Sequence, residues 1–303
     1  LKIKKKHGFI VSLDEENGVD LKNNNTLQHR FPKLVEKYFD LIFLWGNYQL
    51  EYLSESNNFS KNKLFSYGHP RFELLKPEFQ ELYSDQKNKI KTKYGDYILI
   101  NTSFGLGNNI LGEDFVIKNY ESRIPNVRTM IRYEQDLIHQ FNDLVKYLSK
   151  NLTQNIIVRP HPEENTDKYN LDFVSLENVH VIYEDSVIPW IIGANIVIHH
   201  SCTTAVEAKM MGVDSIAYGK SFDLDLIPWL PLEMGPNFNN KEDVLNYIEN
   251  REKQIKFDCN QLLEEYFSFN QNSTELIVSK TLQTFNSTNT NNLNFNMLYF
   301  CFK

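Results

Sequence analysis

Three short stretches of the 303-residue chain gather side chains able to do chemistry. The first is Ile196-Val197-Ile198-His199-His200-Ser201-Cys202-Thr203-Thr204-Ala205-Val206-Glu207, which reads as a buried strand, a hydroxyl-rich turn and a helix start. At such a start the leading backbone N–H groups lack partners within the helix and the aligned peptide dipoles add positive charge. Ser201, Thr203 and Thr204 therefore stand where a phosphate would bind. The same residues also match an ordinary capping box, Thr204-x-x-Glu207, in which both side chains only satisfy backbone donors. In the second stretch, Ile156-Ile157-Val158-Arg159-Pro160-His161-Pro162, two prolines bracket His161 after a strand. They restrict the backbone so that Arg159 and His161 are presented at the carboxyl edge of a sheet, where open α/β folds take their ligands. Both side chains could hold phosphate oxygens, and His161 could equally be a structural histidine. The third stretch, Val11-Ser12-Leu13-Asp14-Glu15-Glu16-Asn17-Gly18, puts three carboxylates at the end of a strand before a turn-forming Asn-Gly. Asp14, Glu15 or Glu16 could deprotonate an acceptor hydroxyl or attack an anomeric carbon, and the alternative is a solvated acidic turn.

These stretches need elements that hold them. Short apolar runs alternate with longer helical patterns almost from end to end, which predicts βα units and a mostly parallel sheet. Strands are expected at 8–13, 40–44 and 63–67, and again at 97–100, 155–158, 179–183, 196–198 and 215–218. Helices are expected at 31–39, 47–55 and 71–83, then at 133–149, 187–193, 204–211, 241–250, 259–267 and 273–285. Within Gly68-His69-Pro70-Arg71-Phe72, Pro70 falls at the first position of a helix, the place proline suits best. The charged stretch 85–93 shows no apolar period and is expected to be a linker. The pattern restarts at Tyr97, so the chain reads as two α/β domains, 1–92 and 93–285, followed by an Asn-rich polar tail, 286–303. Residues 102–132 carry little periodicity and are expected as a long functional loop.

Composition excludes several classes. A net charge of -7 gives no surface for a polyanion, so nucleic acid is not an expected partner. Three cysteines, Cys202, Cys259 and Cys301, are too few and too scattered for a disulfide framework or a zinc site, which fits a reducing cytosol. No apolar run has the length of a membrane span. Gly105-Leu106-Gly107 lacks the third glycine of a dinucleotide fingerprint, and no P-loop, nucleophile elbow or His-Glu-x-x-His occurs. The adjacent His199-His200 lacks the spacing of a metal pair, and Asp14 to Glu16 could hold a divalent ion but nothing demands one, so metal-independent chemistry is expected.

Taken together, the motifs resemble a known group. The acidic Leu13-Asp14-Glu15-Glu16-Asn17-Gly18, the segment Asp40-Leu41-Ile42-Phe43-Leu44-Trp45-Gly46, the Gly68–Phe72 turn, Val158-Arg159-Pro160-His161-Pro162-Glu163-Glu164-Asn165 and the Ser-Cys-Thr-Thr helix start occur in this order across residues 11–219. They look like the surface carbohydrate biosynthesis proteins of bacterial lipopolysaccharide and capsule loci, which belong with the GT-B-like glycosyltransferases. More distantly they are similar to CDP-glycerol glycerophosphotransferases and to bacterial sialyl- and Kdo-transferases. The resemblance implies an α/β, GT-B-like fold of two Rossmann-like domains facing across a cleft, with an amino-terminal domain that looks shortened because few strands precede the acidic motif.

It further implies that Arg159 and His161 approach the donor phosphates and that Ser201, Thr203 and Thr204 complete the phosphate site. Glu207 would take the ribose hydroxyls, Asn101, Thr102 and Ser103 would line the same cleft, and Asp14, Glu15 or Glu16 would be the base or nucleophile, with Asp14 and Glu15 preferred. The expected activity is transfer of a sugar or sugar-acid from a CMP- or UDP-linked donor to a glycan or lipid-linked acceptor, at the cytoplasmic membrane face and without a cofactor beyond the nucleotide-sugar itself. Rival readings are a nucleotide-sugar 2-epimerase, a CDP-alditol phosphotransferase and a non-catalytic GT-B-like partner subunit.

Overall fold

The computed structural model describes residues 8–15, 19–22, 25–56, 58–124, 126–253, 257–289 and 298–302. The chain divides into two compact units, Leu1–Phe79 with Asp258–Lys303, and Gln80–Phe257. Each is built on a parallel sheet of its own.

The first unit's sheet has the order β10-β1-β2-β3, with β1 Phe9–Leu13, β2 Leu41–Phe43, β3 Leu64–Phe65 and β10 Leu298–Phe302. Its strands are apolar at successive positions because both faces are covered, as expected of a parallel sheet. Ile10, Ile42 and Leu64 face one cluster with Leu27 of helix α1 (Asn25–Arg30), Phe31 and Phe39. Phe9, Val11, Leu13, Leu41 and Phe43 face the other, against Ile277 and Phe285. Two short helices lead out of β2 and β3, α2 (Asn47–Glu51) and α3 (Pro70–Glu73). The longer helices expected at 31–39, 47–55 and 71–83 are largely broken into tighter 3-10 turns or, after α2, a π turn.

The second unit's sheet has the order β6-β5-β4-β7-β8-β9, all parallel. Its strands are β4 Tyr97–Asn101, β5 Asn155–Arg159, β6 Val179–Val181, β7 Ile196–His199, β8 Ser215–Tyr218 and β9 Asn237–Phe238. The chain builds outward from β4 to one side, then returns to build from β7 to the other, so strand order reverses between β4 and β7. Open α/β sheets bind ligands outside the carboxyl ends of the strands at such a reversal. One face carries Ile98, Ile100, Ile156, Val158, Ile196 and Ile198 against the 25-residue helix α6 (Val127–Asn151). That helix buries Leu137, Phe141, Leu144 and Leu148, spaced by three or four residues as a core-facing stripe requires. Helices α7 (Thr166–Phe173) and α10 (Lys241–Glu249) add Tyr169, Phe173 and Val244 to the same core. On the opposite face, α4 (Ser84–Tyr94) packs with α8 (Ile188–Gly193), and Tyr97 of β4 donates its hydroxyl to the Trp190 carbonyl at 2.6 Å.

Four expectations are corrected here. The charged stretch 85–93 is no linker but part of α4, whose half-buried positions include Lys87, Ile90 and Tyr94 rather than a wholly apolar stripe. Residues 102–132 are not one long loop, since α5 (Glu113–Tyr120) and the first turns of α6 lie within them and bury Val116, Val127 and Ile131 together. Helices α11 (Asn260–Phe267) and α12 (Ser273–Asn289), expected in the second domain, belong to the first unit. The reason is aromatic packing, with Phe267 against Trp45 and Phe72, Tyr266 against Tyr48 and Phe285 against Phe9. Finally, the expected tail holds the end of α12 and β10, which runs parallel to all of β1 from Phe9↔Leu298 to Leu13↔Phe302.

Candidate functional site

In the second unit the loops after β4 and β5 are joined by one carboxylate. Glu164 is 1% exposed and accepts from the Thr102 hydroxyl at 2.7 Å, Phe104 N–H at 3.1 Å and His161 N–H at 2.9 Å through Oε1, and from the Tyr169 hydroxyl at 2.6 Å through Oε2. A buried carboxylate supplied with this many donors stays satisfied and fixes both loops. Thr102 N–H also bonds the Arg159 carbonyl at 3.1 Å, extending the β4–β5 ladder into the loop. His161 is held by its own backbone with its ring exposed, and Nδ1 accepts from Glu163 N–H at 3.3 Å. With Nδ1 accepting, Nε2 is the ring nitrogen left to donate.

Arg159 is engaged by backbone carbonyls. Its side chain is buried, donates to the carbonyls of Glu184 at 2.7 Å and Asp185 at 3.0 Å, and lies over the Trp190 ring at 5.2 Å. Strand alternation sends it to the face that carries α8, where it anchors the loop after β6. Asn101, also buried, has no hydrogen-bond partner for either amide atom among the described residues, and Ser103 is half-buried beside Thr102.

The helix after β7, α9 (Thr203–Met210), begins two residues earlier than a Thr204 cap would require. Cys202 holds the cap position with an extended backbone, φ -115° and ψ 145°, and no side chain caps the helix. The capping-box alternative is thus not realised, and Thr203 and Thr204 form the first turn, where backbone N–H groups have no intrahelical partner. Thr204 Oγ1 is buried beside the Cys202 thiol, while Ser201 donates its hydroxyl to the Pro228 carbonyl. Glu207 is 2% exposed, one turn into the helix. Burial raises the Cys202 thiol, hydrogen bonding to Thr204 opposes the rise, and the Glu207 and Glu164 carboxylates add to it.

Beneath this turn lie two neutral histidines. Burial, then the neighbouring His200, holds His199 down to about 3, and burial holds His200 down to about 4. His200 Nδ1 lies 2.9 Å from the Tyr218 carbonyl, so Nδ1 carries the proton and Nε2 faces the Tyr133 hydroxyl at 2.7 Å. Its ring stacks on Phe222 at 5.1 Å. On α6, burial pushes Glu134 up to about 8, with Glu164 and Glu163 adding to the rise. These shifts set opposing pH slopes. Between pH 6.5 and about 4 the unfolded chain binds the His199 and His200 protons that the fold refuses, so stability is lost as pH falls. Glu134 is the reverse, stabilising below its unfolded value of 4.5 and losing that contribution as pH rises through 8. The histidines, His180 among them, therefore make stability rise with pH up to 6.5, and Glu134 makes it fall from there towards 8. Urea unfolding of the second unit's sheet is expected to be most resistant near pH 6.5, and Glu134→Gln to flatten the alkaline limb.

The first unit presents its own cluster at the end of β1. Asp14 is buried, and its Oδ2 receives Arg30 Nη2 at 3.0 Å and Gln49 Nε2 at 3.1 Å. Trp45 donates its indole N–H to the Asp14 carbonyl. These contacts fit a structural anchor, not a base. Glu15 differs, with a side chain 32% exposed and Oε2 3.2 Å from His69 Nε2. His69 Nδ1 accepts from Arg71 N–H at 3.0 Å, which leaves the proton on Nε2, towards Glu15. Burial, then the Arg71 charge, holds His69 down to about 4, so the ring is neutral. Glu16 lies outside the described residues. Sequence reasoning gave no role to His69, Glu134 or Glu164. Only the position of His69 in the Gly-His-Pro turn offered a signal.

No family model matches the chain, and no curated protein matches it in sequence. Solved structures do match by fold. The UDP-GlcNAc 2-epimerase of Methanocaldococcus jannaschii aligns with a TM-score of 0.58 at 15% identity, over 92% of this chain and 71% of its own. The UDP-GlcNAc 2-epimerase of Neisseria meningitidis bound to UDP-GlcNAc gives 0.52 at 13%, over 93% and 71%. The wall teichoic acid polymerase TagF gives 0.51 at 13%, over 87% of this chain, which spans 60% of the polymerase. The fold is therefore α/β and GT-B-like, two parallel Rossmann-like units in one chain. Among the described residues no helix is long and apolar enough to cross a membrane.

Proposed function

We propose that the protein is a GT-B-type transferase that takes a sugar or sugar-acid from a nucleotide-activated donor. The observation that carries this is the uncapped start of α9 at the reversal of strand order, with Thr203 and Thr204 in its first turn. Phosphate oxygens bind there and at the exposed His161, Glu207 meets the ribose, and Asn101 and Ser103 line the same edge. Arg159 acts at one remove, by holding the loop after β6. Glu15 of the first unit is the base, oriented by His69, and Asp14 is its support. The acceptor is a glycan or a lipid-linked glycan of the cell surface, met on the cytoplasmic side of the membrane. A second reading is supported by the epimerase folds, that of a nucleotide-sugar 2-epimerase, which would alter the donor with no acceptor present.

A thermal-shift panel of CMP, CDP, UDP and GDP tests the donor site. A nucleotide at about 100 times its dissociation constant should add roughly 2.7 kcal/mol of stability. His161→Ala and Thr204→Ala should reduce that shift. A panel in which no nucleotide moves the melting point would sink the proposal. Incubating the selected nucleotide-sugar alone separates the two readings, since only an epimerase changes it at C2.

A further inference from the structure

The loop after β4 contains a seat for an anionic oxygen, and a side chain of the protein sits in it. Leu106 and Gly107 N–H both donate to Glu134 Oε2 at 2.8 Å. Two successive N–H groups converging on one oxygen make the kind of backbone concavity that binds anions. This one follows β4 directly, at the reversal of strand order. An imidazole and a carboxylate both border the loop, because a Cβ on Gly105 would lie 3.6 Å from His161 Nδ1 and 3.0 Å from Glu163 Oε2. The seat also meets α6 with no side chain between, since a Cβ on Gly107 would come within 2.7 Å of Glu134 Cβ and 2.8 Å of Gln135 N. Glu134 is a poor occupant for such a seat. It shares the region with Glu163 and Glu164, and burial with these carboxylates pushes it up to about 8, so near neutral pH it is largely a neutral acid. A neutral acid accepts hydrogen bonds more weakly than an ionised phosphate does.

We propose that Leu106 and Gly107 form a phosphate seat that Glu134 fills until the diphosphate of a nucleotide displaces it. The inference rests on the nucleotide-donor reading above and adds a contact outside the α9 start. Glu134 is on this view an internal competitor, so removing it strengthens binding. A carboxylate that merely ties the loop to α6 gives the opposite sign, since its removal would loosen the loop.

Calorimetric titration with inorganic pyrophosphate decides between them. Glu134→Ala is expected to bind pyrophosphate at least tenfold more tightly than the wild type, with Glu134→Gln in between. The amide resonances of Leu106 and Gly107 should shift during the titration. Equal or weaker binding by Glu134→Ala overturns the proposal, as do silent amides at both residues. Should the alanine variant fail to fold, Glu134→Gln carries the same decision, with tighter binding supporting the seat and unchanged or weaker binding rejecting it. A nucleotide panel with no melting shift would remove the donor reading while the pyrophosphate titration still decides the seat. Nucleotide binding unaffected by Glu134→Ala would remove the seat alone.

Discussion

Glu15→Gln is expected to cut transfer by about 10²- to 10⁴-fold, the usual contribution of a positioned general base, while melting temperature and nucleotide binding stay at wild-type values. The expectation comes from the difference between two adjacent carboxylates. Asp14 is enclosed and receives Arg30 and Gln49, whereas Glu15 keeps a third of its side chain in solvent, with a neutral imidazole 3.2 Å from its Oε2. Removing the charge of Glu15 leaves no buried cation behind. Asp14→Ala, by contrast, strips Arg30 of a buried partner, a change that costs about 3–5 kcal/mol in comparable pairs. The two variants should thus separate, one folded and inactive, the other unstable. Full turnover by Glu15→Gln, followed with the nucleotide-sugar selected by the panel, would take Glu15 out of the mechanism.

The second large effect is on the fold. Glu164→Ala leaves the Thr102 and Tyr169 hydroxyls and the Phe104 and His161 N–H groups without their acceptor. An unsatisfied buried donor costs about 1–3 kcal/mol, and partial relaxation brings the sum to roughly 3–5 kcal/mol. For a domain of this size that is a fall in melting temperature of roughly 10 °C. Nucleotide binding should weaken too, because the His161 backbone and the loop after β4 lose a common tether. Glu163→Ala is the internal control, its side chain being exposed, and should melt close to wild type. Equal melting of Glu164→Ala and wild type would show that the four donors find other partners.

The strands were legible because parallel sheets covered on both faces demand near-continuous apolar runs, and Ile98-Leu99-Ile100 and Ile196-Val197-Ile198 are such runs. The turn into α9 was legible for the same reason, since hydroxyl residues directly after such a strand mark a helix start. Periodicity failed where the half-buried stripe was not apolar, as in α4 with Lys87 and Tyr94. It also cannot say which of two sheets a helix joins, and Phe267 reveals its partners Trp45 and Phe72 only in three dimensions. Within the site, Glu163 and Glu164 are indistinguishable by type and context. Only the fold shows one in solvent and the other at the centre of four hydrogen bonds. Arg159 misled for a related reason, because a guanidinium suits backbone carbonyls and a stacked indole as well as it suits phosphate.

The return of residues 258–302 to the first sheet has a consequence for synthesis on the ribosome. The second unit is one uninterrupted segment, Gln80–Phe257, and every strand of its sheet is available before α11 has been translated. The first unit is not, since β1 must wait for β10 as its neighbour and Trp45 must wait for Phe267. The central segment, Gln80–Phe257, therefore folds first, while residues 8–79, with β1 and Glu15, remain an unfinished hydrophobic surface that needs protection until translation ends. A ribosome stalled near residue 257 should display a protease-resistant second unit behind a protease-sensitive amino-terminal segment.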